Sequence, residues 1–504
     1  MSKNSDSKKL FANSIYYSLG GVLSKGLHFF LLPVYTAFLS AEDYGVVNMV
    51  TSFNAVLHYL VLLCLDSAIM RYYALYQNEE KKLKRMYGTT ITLVLFMCVV
   101  TFAGCFLFKQ ILLNTVFRGI EFFPYVLLGL STLVLDCFSG LHRRMLQARQ
   151  EGKKEALIGI LTIACSSGLG VVFLAVFDMG ASGMLLSTMI VSVGVAIYML
   201  WDMLCRGMVE WCFERKLAGE MLRYSLPLIP HQLSGYLASM IGKVFLNTSG
   251  TLSAVGLYSI AVQFTAVTDT FQDSMSQAYR PWLNDQLRNS EKLDRERITV
   301  ISQVLMAGCS VIYLGIAFFA KEMLIIMTAA EYWTAWKVIP FLVISYSIRI
   351  IFYFYLAQCL FHTESSKKIF IASVTANLSS IVFSAIFVPR FGMYGSAAAS
   401  LLSIFINTTL IYLIDRPNGD IGYDLGAMIR VLLFAWIFIG VGIAPSYLIW
   451  PDEFSIVNFL YKGIIVCIYL VFLWYRHRNQ IKQLTGIGDL KGAWTWIRGR
   501  NKRA

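Results

Sequence analysis

Five cationic side chains stand within or at the ends of long apolar runs: Lys25, Arg71, Lys243, Arg280 and Arg349. Asp136, Asp269 and His28 occupy the same kind of surroundings. A lysine at bilayer depth costs about 2.5–3.5 kcal/mol on insertion scales, so such groups face a cavity or a partner rather than lipid. Arginine and lysine in a low-dielectric cavity hold an anion through charge-assisted hydrogen bonds. The two aspartates either bind a coupling proton or sodium ion, or neutralise nearby cations, the usual remedy for a buried charge. His28, one turn beyond Lys25, either titrates with a coupling proton or stands as a bland neighbour of the lysine.

Thiol and metal chemistry gain no support. The ten cysteines (64, 98, 105, 137, 165, 205, 212, 309, 359 and 467) lie in or beside apolar segments and form no Cys-x-x-Cys. They read as small packing residues. The six histidines are scattered without ligand spacing, so neither a metal nor any other cofactor is expected.

The elements that must position these charges are membrane helices. Of 504 residues, 57% are hydrophobic and 14% charged, with a mean hydropathy of +0.61. Soluble domains carry roughly 25% charged residues, so the composition is that of a polytopic membrane protein. A net charge of +13 does not point to nucleic acid, because the basic residues cluster in alternate loops and in the tail. The polar start and the long apolar run after it argue against a cleavable signal.

Apolar runs of about 20 residues place helices at 14–39, 44–70, 87–108, 122–145, 156–177 and 181–205. Further runs lie at 221–246, 252–279, 298–320, 333–360, 369–388 and 393–414, with two more at 425–449 and 454–475. Prolines 227 and 230 are expected to break the seventh. With the N-terminus inside, 33 lysines and arginines fall in or beside inner segments and six in or beside outer loops (Lys109, Arg118, Lys321, Lys337, Arg390 and Lys462). That asymmetry selects fourteen spans with both ends cytoplasmic. The basic tail either lies on the anionic inner leaflet or only fixes topology.

The first half of the chain recurs in the second. Tyr17-Ser18-Leu19 returns as Tyr224-Ser225-Leu226, and Gly45 as Gly256. Asp66-Ser67…Arg71 returns as Asp273-Ser274…Arg280. Met145–Lys154 resembles Cys359–Lys368, and Gly180-x-x-Gly183 matches Gly392-x-x-Gly395. The shared offset, near 210, implies two parallel six-helix lobes around a central cavity. The expected divisions are 1–206, 207–416, two appended helices over 417–476, and a basic cytoplasmic tail over 477–504.

Two stretches carry a family resemblance over essentially the whole chain. Leu32-Pro33-x-Tyr35-Thr36…Leu39-Ser40-x-x-Asp43-Tyr44-Gly45 and Tyr224-Ser225-Leu226-Pro227-Leu228-Ile229-Pro230-His231 resemble the bacterial Wzx-type polysaccharide flippases. These belong to the superfamily that also holds multidrug exporters and lipid II flippases. The resemblance implies alternating-access transport of an undecaprenyl-diphosphate-linked oligosaccharide to the outer leaflet of the inner membrane. It also implies an H+ or Na+ couple, and a polysaccharide polymerase with its chain-length machinery as partners. Lys25, Arg349, Lys243, Arg71 and Arg280 then form a cationic cavity for the diphosphate. A multidrug cation antiporter and a lipid II flippase stay as alternatives, although the mid-span charges tilt cationic. An enzyme is disfavoured, because no outer loop gathers paired carboxylates with a histidine.

Overall fold

The Ser40-x-x-Asp43 motif is a helix cap. Ser40 Oγ accepts from the Asp43 backbone N–H at 3.0 Å and donates to Asp43 Oδ2 at 2.7 Å, which satisfies an otherwise orphaned donor at the helix start. Asp43 Oδ1 also accepts from Ala181 N at 3.3 Å, so one acidic residue ties together the starts of two helices. The computed structural model in which this is seen describes residues 26–27, 29–288, 294–451 and 453–485.

Fifteen principal helices follow in order. They are α1 (Leu32–Phe38), α2 (Ala41–Leu62), α3 (Leu65–Tyr76), α4 (Glu80–Leu107), α5 (Leu127–Ala148), α6 (Gly152–Ala175) and α7 (Gly180–Cys205). Then come α8 (Arg215–Ser225), α9 (Ile229–Ser249), α10 (Leu252–Arg288), α11 (Arg295–Met327) and α12 (Ile339–Phe361). The last are α13 (Ile369–Asp415), α14 (Leu425–Leu448) and α15 (Ile456–Thr485). Among the described residues there is no strand. The protein is an all-α polytopic membrane protein.

Ten helical runs are long and apolar enough to cross a membrane among the described residues. One of them, Thr363–Asn418, holds two of the expected spans. α9 and α10 occupy the seventh and eighth but are less apolar, because they carry Lys243, Asp269 and Arg280. Half of the first span, 14–39, lies outside the described residues. Fourteen spans therefore fit these helices.

Three breaks differ from smooth spans. Leu63 and Cys64 have φ of 50° and 54° and split the second span into α2 and α3. The seventh is preceded by α8, which buries Leu217, Ala218 and Met221 on one side and leaves Arg215 and Lys216 exposed. A 3-10 turn over Leu226–Leu228 then leads into α9, with Pro230 in its first turn. Both prolines sit where their missing N–H costs least. In α13 the bend is at Gly392, with φ 54° and ψ −127°.

Gly392 also bears on the repeat. Its counterpart Gly180 has the same φ, 54°, a left-handed conformation that glycine adopts without a Cβ penalty. The matched Gly-x-x-Gly motifs thus share a positive φ at their first glycine. A second match joins α2 to α10. A Cβ on Gly45 would lie 2.1 Å from Leu252 O, and one on Gly256 would lie 2.1 Å from Ala41 O. Residues 41 and 45 exchange roles with 252 and 256, so this close crossing has the local two-fold character of a parallel repeat.

By compactness the chain divides into two units. The first is Met1–Ser259 with Met327–Tyr332, and the second is Ile260–Ile326 with Trp333–Ala504. In the first, Tyr332 OH donates to Leu39 O at 2.8 Å beneath an edge-on Tyr44 ring. In the second, the appended helices are held to α11 by a Lys462–Glu322 ion pair of 2.7 Å, both side chains at most 4% exposed. Tyr469 OH adds a bond of 2.7 Å to Ser310 Oγ. A buried pair of this kind is costly to break from one side.

Candidate functional site

Along α2 a polar stripe interrupts an otherwise apolar helix: Asn48, Thr51, Ser52, Asn54, His58 and Tyr59. Steps of three and four residues put these on neighbouring positions of one helix surface. Lys243 of α9 donates to Ser52 Oγ at 2.8 Å and reaches Asn48 Oδ1 at 3.4 Å. Both partners are neutral oxygens. Asn54 Nδ2 donates to Gly129 O of α5 at 2.8 Å, while its Oδ1 is buried with no partner.

Below this bond two cavities of about 420 and 470 Å³ share His58, Tyr59 and Asp136 as lining. Asp136 is exposed to that space, and one of its oxygens accepts from Ser192 Oγ at 2.8 Å. Ser139, almost fully buried on the same lining, has an unpartnered hydroxyl. The Tyr59 and Tyr236 rings lie 4.8 Å apart at 32° on the wall. Nearer the polar ends of α3 and α5, Arg144 pairs with Asp66 at 3.3 Å and Arg143 with Glu155 at 2.6 Å. Next to them Asp202 pairs with Lys154 and Arg206 at 2.5 and 3.0 Å, and His142 Nε2 lies 3.2 Å from Asp202 Oδ2 without a hydrogen bond. Arg206, just past the end of α7, is held protonated by its bond to Glu151, which raises its pKa. Arg71 is exposed and lies over the Tyr224 ring, 4.4 Å from its centroid. No carboxylate pairs with Arg71 or Lys243 among the described residues.

The second unit carries its own charged group. Arg349 Nη1 meets Asp269 Oδ1 at 2.9 Å, each side chain 31% exposed. Tyr353 OH donates to the same oxygen at 3.3 Å, and the Tyr346 ring lies 4.9 Å from the guanidinium. Asp269 thus acts as the charge partner of Arg349. Guanidinium has five N–H donors, and one bond to Oδ1 leaves others for an anion. Further along α10, Arg280 Nε donates to Ser276 Oγ at 3.1 Å.

Of the residues expected from sequence, Lys25 and His28 lie outside the described residues. Arg71, Lys243 and Asp136 belong to the first unit; Arg280, Arg349 and Asp269 belong to the second. His58, Asn54 and the Tyr59–Tyr236 pair were missed. Their signal was the three-and-four spacing of polar residues on α2.

The architecture defines a class, the polytopic helical membrane proteins. The solved structure of the lipid II flippase MurJ in an inward closed conformation is similar, with a TM-score of 0.68 at 13% identity over 92% of this chain and 99% of that one. An inward-facing multidrug resistance MATE family transporter of the MOP superfamily gives 0.62 at 16% identity, over 81% and 96%. At such identities the likeness shows the fold. A protein of the Lsg locus of Haemophilus influenzae strain Rd is 21% identical over 287 residues, 56% of this chain and 68% of its own length. The family model described as polysaccharide biosynthesis protein matches residues 10–287. The chain belongs to that family, and the resemblance to Wzx-type flippases stands.

Proposed function

We propose that the protein moves an undecaprenyl-diphosphate-linked oligosaccharide from the cytoplasmic to the outer leaflet of the bacterial inner membrane by alternating access. Lobes 1–206 and 207–416 rock against each other, 417–476 adds two helices, and both termini, with the basic tail 477–504, face the cytoplasm. Lys25, Lys243, Arg71, Arg280 and Arg349 line the path of the diphosphate, and Asp136 is the site for a coupling H+ or Na+. The observation that carries this reading is that Lys243 and Arg71 meet neutral oxygens or a ring. A cation without a carboxylate partner suits an anionic cargo. Membership of a polysaccharide biosynthesis family and a fold shared with a lipid II flippase support a lipid-linked glycan as that cargo.

Complementation of a flippase-null strain, scored by surface polysaccharide with membrane abundance measured in parallel, tests it. Lys25→Ala and Arg349→Ala are expected to impair export at near-normal abundance. Lys25→Arg is expected to be tolerated better than Lys25→Ala, because a point charge matters there more than donor geometry. Lys25→Glu is expected to be worst, since it repels the phosphates. Full export by both alanine variants at normal abundance would remove the cationic path.

A further inference from the structure

At one end of the second unit, α11, α14 and α15 enclose a pocket of about 210 Å³ that the transport reading does not use. Its lining changes character with depth. Arg430 stands four residues before Phe434 on α14, and Arg476 stands four residues after Phe472 on α15. Consecutive spans run in opposite senses, so both helices place an arginine at the mouth and a phenylalanine one turn deeper. Val431 and Leu473 complete an apolar floor. The mouth is where α14 begins and where the membrane-spanning part of α15, Ile456–Gln480, ends.

The back wall is polar and built. His477 and Gln303 are 5% and 8% exposed. His477 Nδ1 lies 2.5 Å from Gln480 Oε1, and Gln480 Nε2 donates to Gln303 Oε1. One carboxylate shares the mouth. Asp424 accepts from Ala427 N at 2.9 Å as the cap of α14 and stands 3.8 Å from Arg430. Two guanidiniums against one carboxylate leave a surplus positive charge.

We propose that this pocket binds an anionic phospholipid, its phosphodiester between Arg430 and Arg476 and the first methylenes of its acyl chains on the Phe434, Phe472 and Leu473 floor. The charge surplus matches a phosphodiester monoanion, and the position is at a bilayer interface where such headgroups lie. None of its lining residues is among those proposed for the cargo path.

The test uses the full chain, purified in neutral detergent, with thermal unfolding followed in micelles of increasing phosphatidylglycerol content. The midpoint is expected to rise saturably with phosphatidylglycerol and not with phosphatidylcholine at the same mole fraction. Arg430→Gln with Arg476→Gln is expected to raise the half-saturating mole fraction about tenfold or more, as expected for removing two interfacial charges. Val431→Phe, which fills the floor and keeps both arginines, is expected to weaken the response as well. Arg478→Gln is the control, because Arg478 stacks on Tyr475 at 5.0 Å on the same helix and does not line the pocket. An equal loss in Arg478→Gln, or an equal response to phosphatidylcholine, overturns the proposal. Displacement of the lipid by inorganic phosphate, or saturation by undecaprenyl phosphate but not phosphatidylglycerol, overturns it too.

Discussion

The Asp269–Arg349 pair separates two roles that a buried charge can have. Asp269→Asn leaves Arg349 half-buried without its carboxylate. Between the roughly 3–5 kcal/mol of a fully buried pair and the 0–1 kcal/mol of an exposed one, a loss on the order of 2 kcal/mol is expected. Membrane abundance and the unfolding midpoint should both fall. Adding Arg349→Gln removes the stranded charge and should restore much of that abundance. Export should stay low in the double variant if Arg349 also holds cargo, and a double variant that exports normally would confine the pair to structure. At this scale the sequence showed which groups were too polar for lipid, because charge inside an apolar run is visible in one dimension. It did not show partners. Asp269 and Arg349 are 80 positions apart, and only the packing of the second unit brings them to 2.9 Å. Asn54 and His58 escaped notice for another reason: neutral polar residues in a membrane helix carry a weak signal until their shared face is counted.

Helices meet most closely where side chains are absent, and α2 with α10 is the clearest case. A methyl at Gly45 or Gly256 would press on a backbone carbonyl at 2.1 Å, which cannot rotate away as a side chain could. The helices must separate, at about 1–3 kcal/mol for overpacking. Gly45→Ala and Gly256→Ala are each expected to lower the unfolding midpoint. Gly104→Ala, in a helix interior with nothing within 4 Å, should hold or raise it, because alanine favours helix over glycine. A Gly45→Ala protein as stable as the parent would show that the crossing is looser than 2.1 Å implies. Helix number and order were legible here, since 20-residue apolar runs register as spans. The interruptions were legible only in part. Pro227 and Pro230 announced the break before α9, whereas nothing in Leu63-Cys64 announces two left-handed residues. Leucine and cysteine carry no turn preference, so that break is imposed by packing.

For the whole molecule, the distribution of lysine and arginine makes the strongest demand. With fourteen spans, 33 of these residues fall in or beside the segments of one side and six in or beside those of the other, and one span too many or too few would reverse the bias downstream. The structure adds a reason to expect parallel halves, because Gly180 and Gly392 share a positive φ and Gly45 and Gly256 share a crossing. Six spans per half put corresponding loops on the same side. In a background without the native cysteines, single cysteines near Glu42, Gly250 and Asp452 are therefore expected to react with an impermeant thiol reagent added outside. Cysteines near Lys82, Lys153, Arg215 and Arg295 are expected to react only after the membrane is opened. The site near Arg215 is the most exacting of these, because α8 is amphipathic and exposes Arg215 and Lys216 on its polar side. If α8 crossed the bilayer instead of lying along it, every later loop would change sides. Labelling near Arg295 from outside would then appear together with loss of outside labelling near Asp452, and the fourteen-span topology would have to be abandoned.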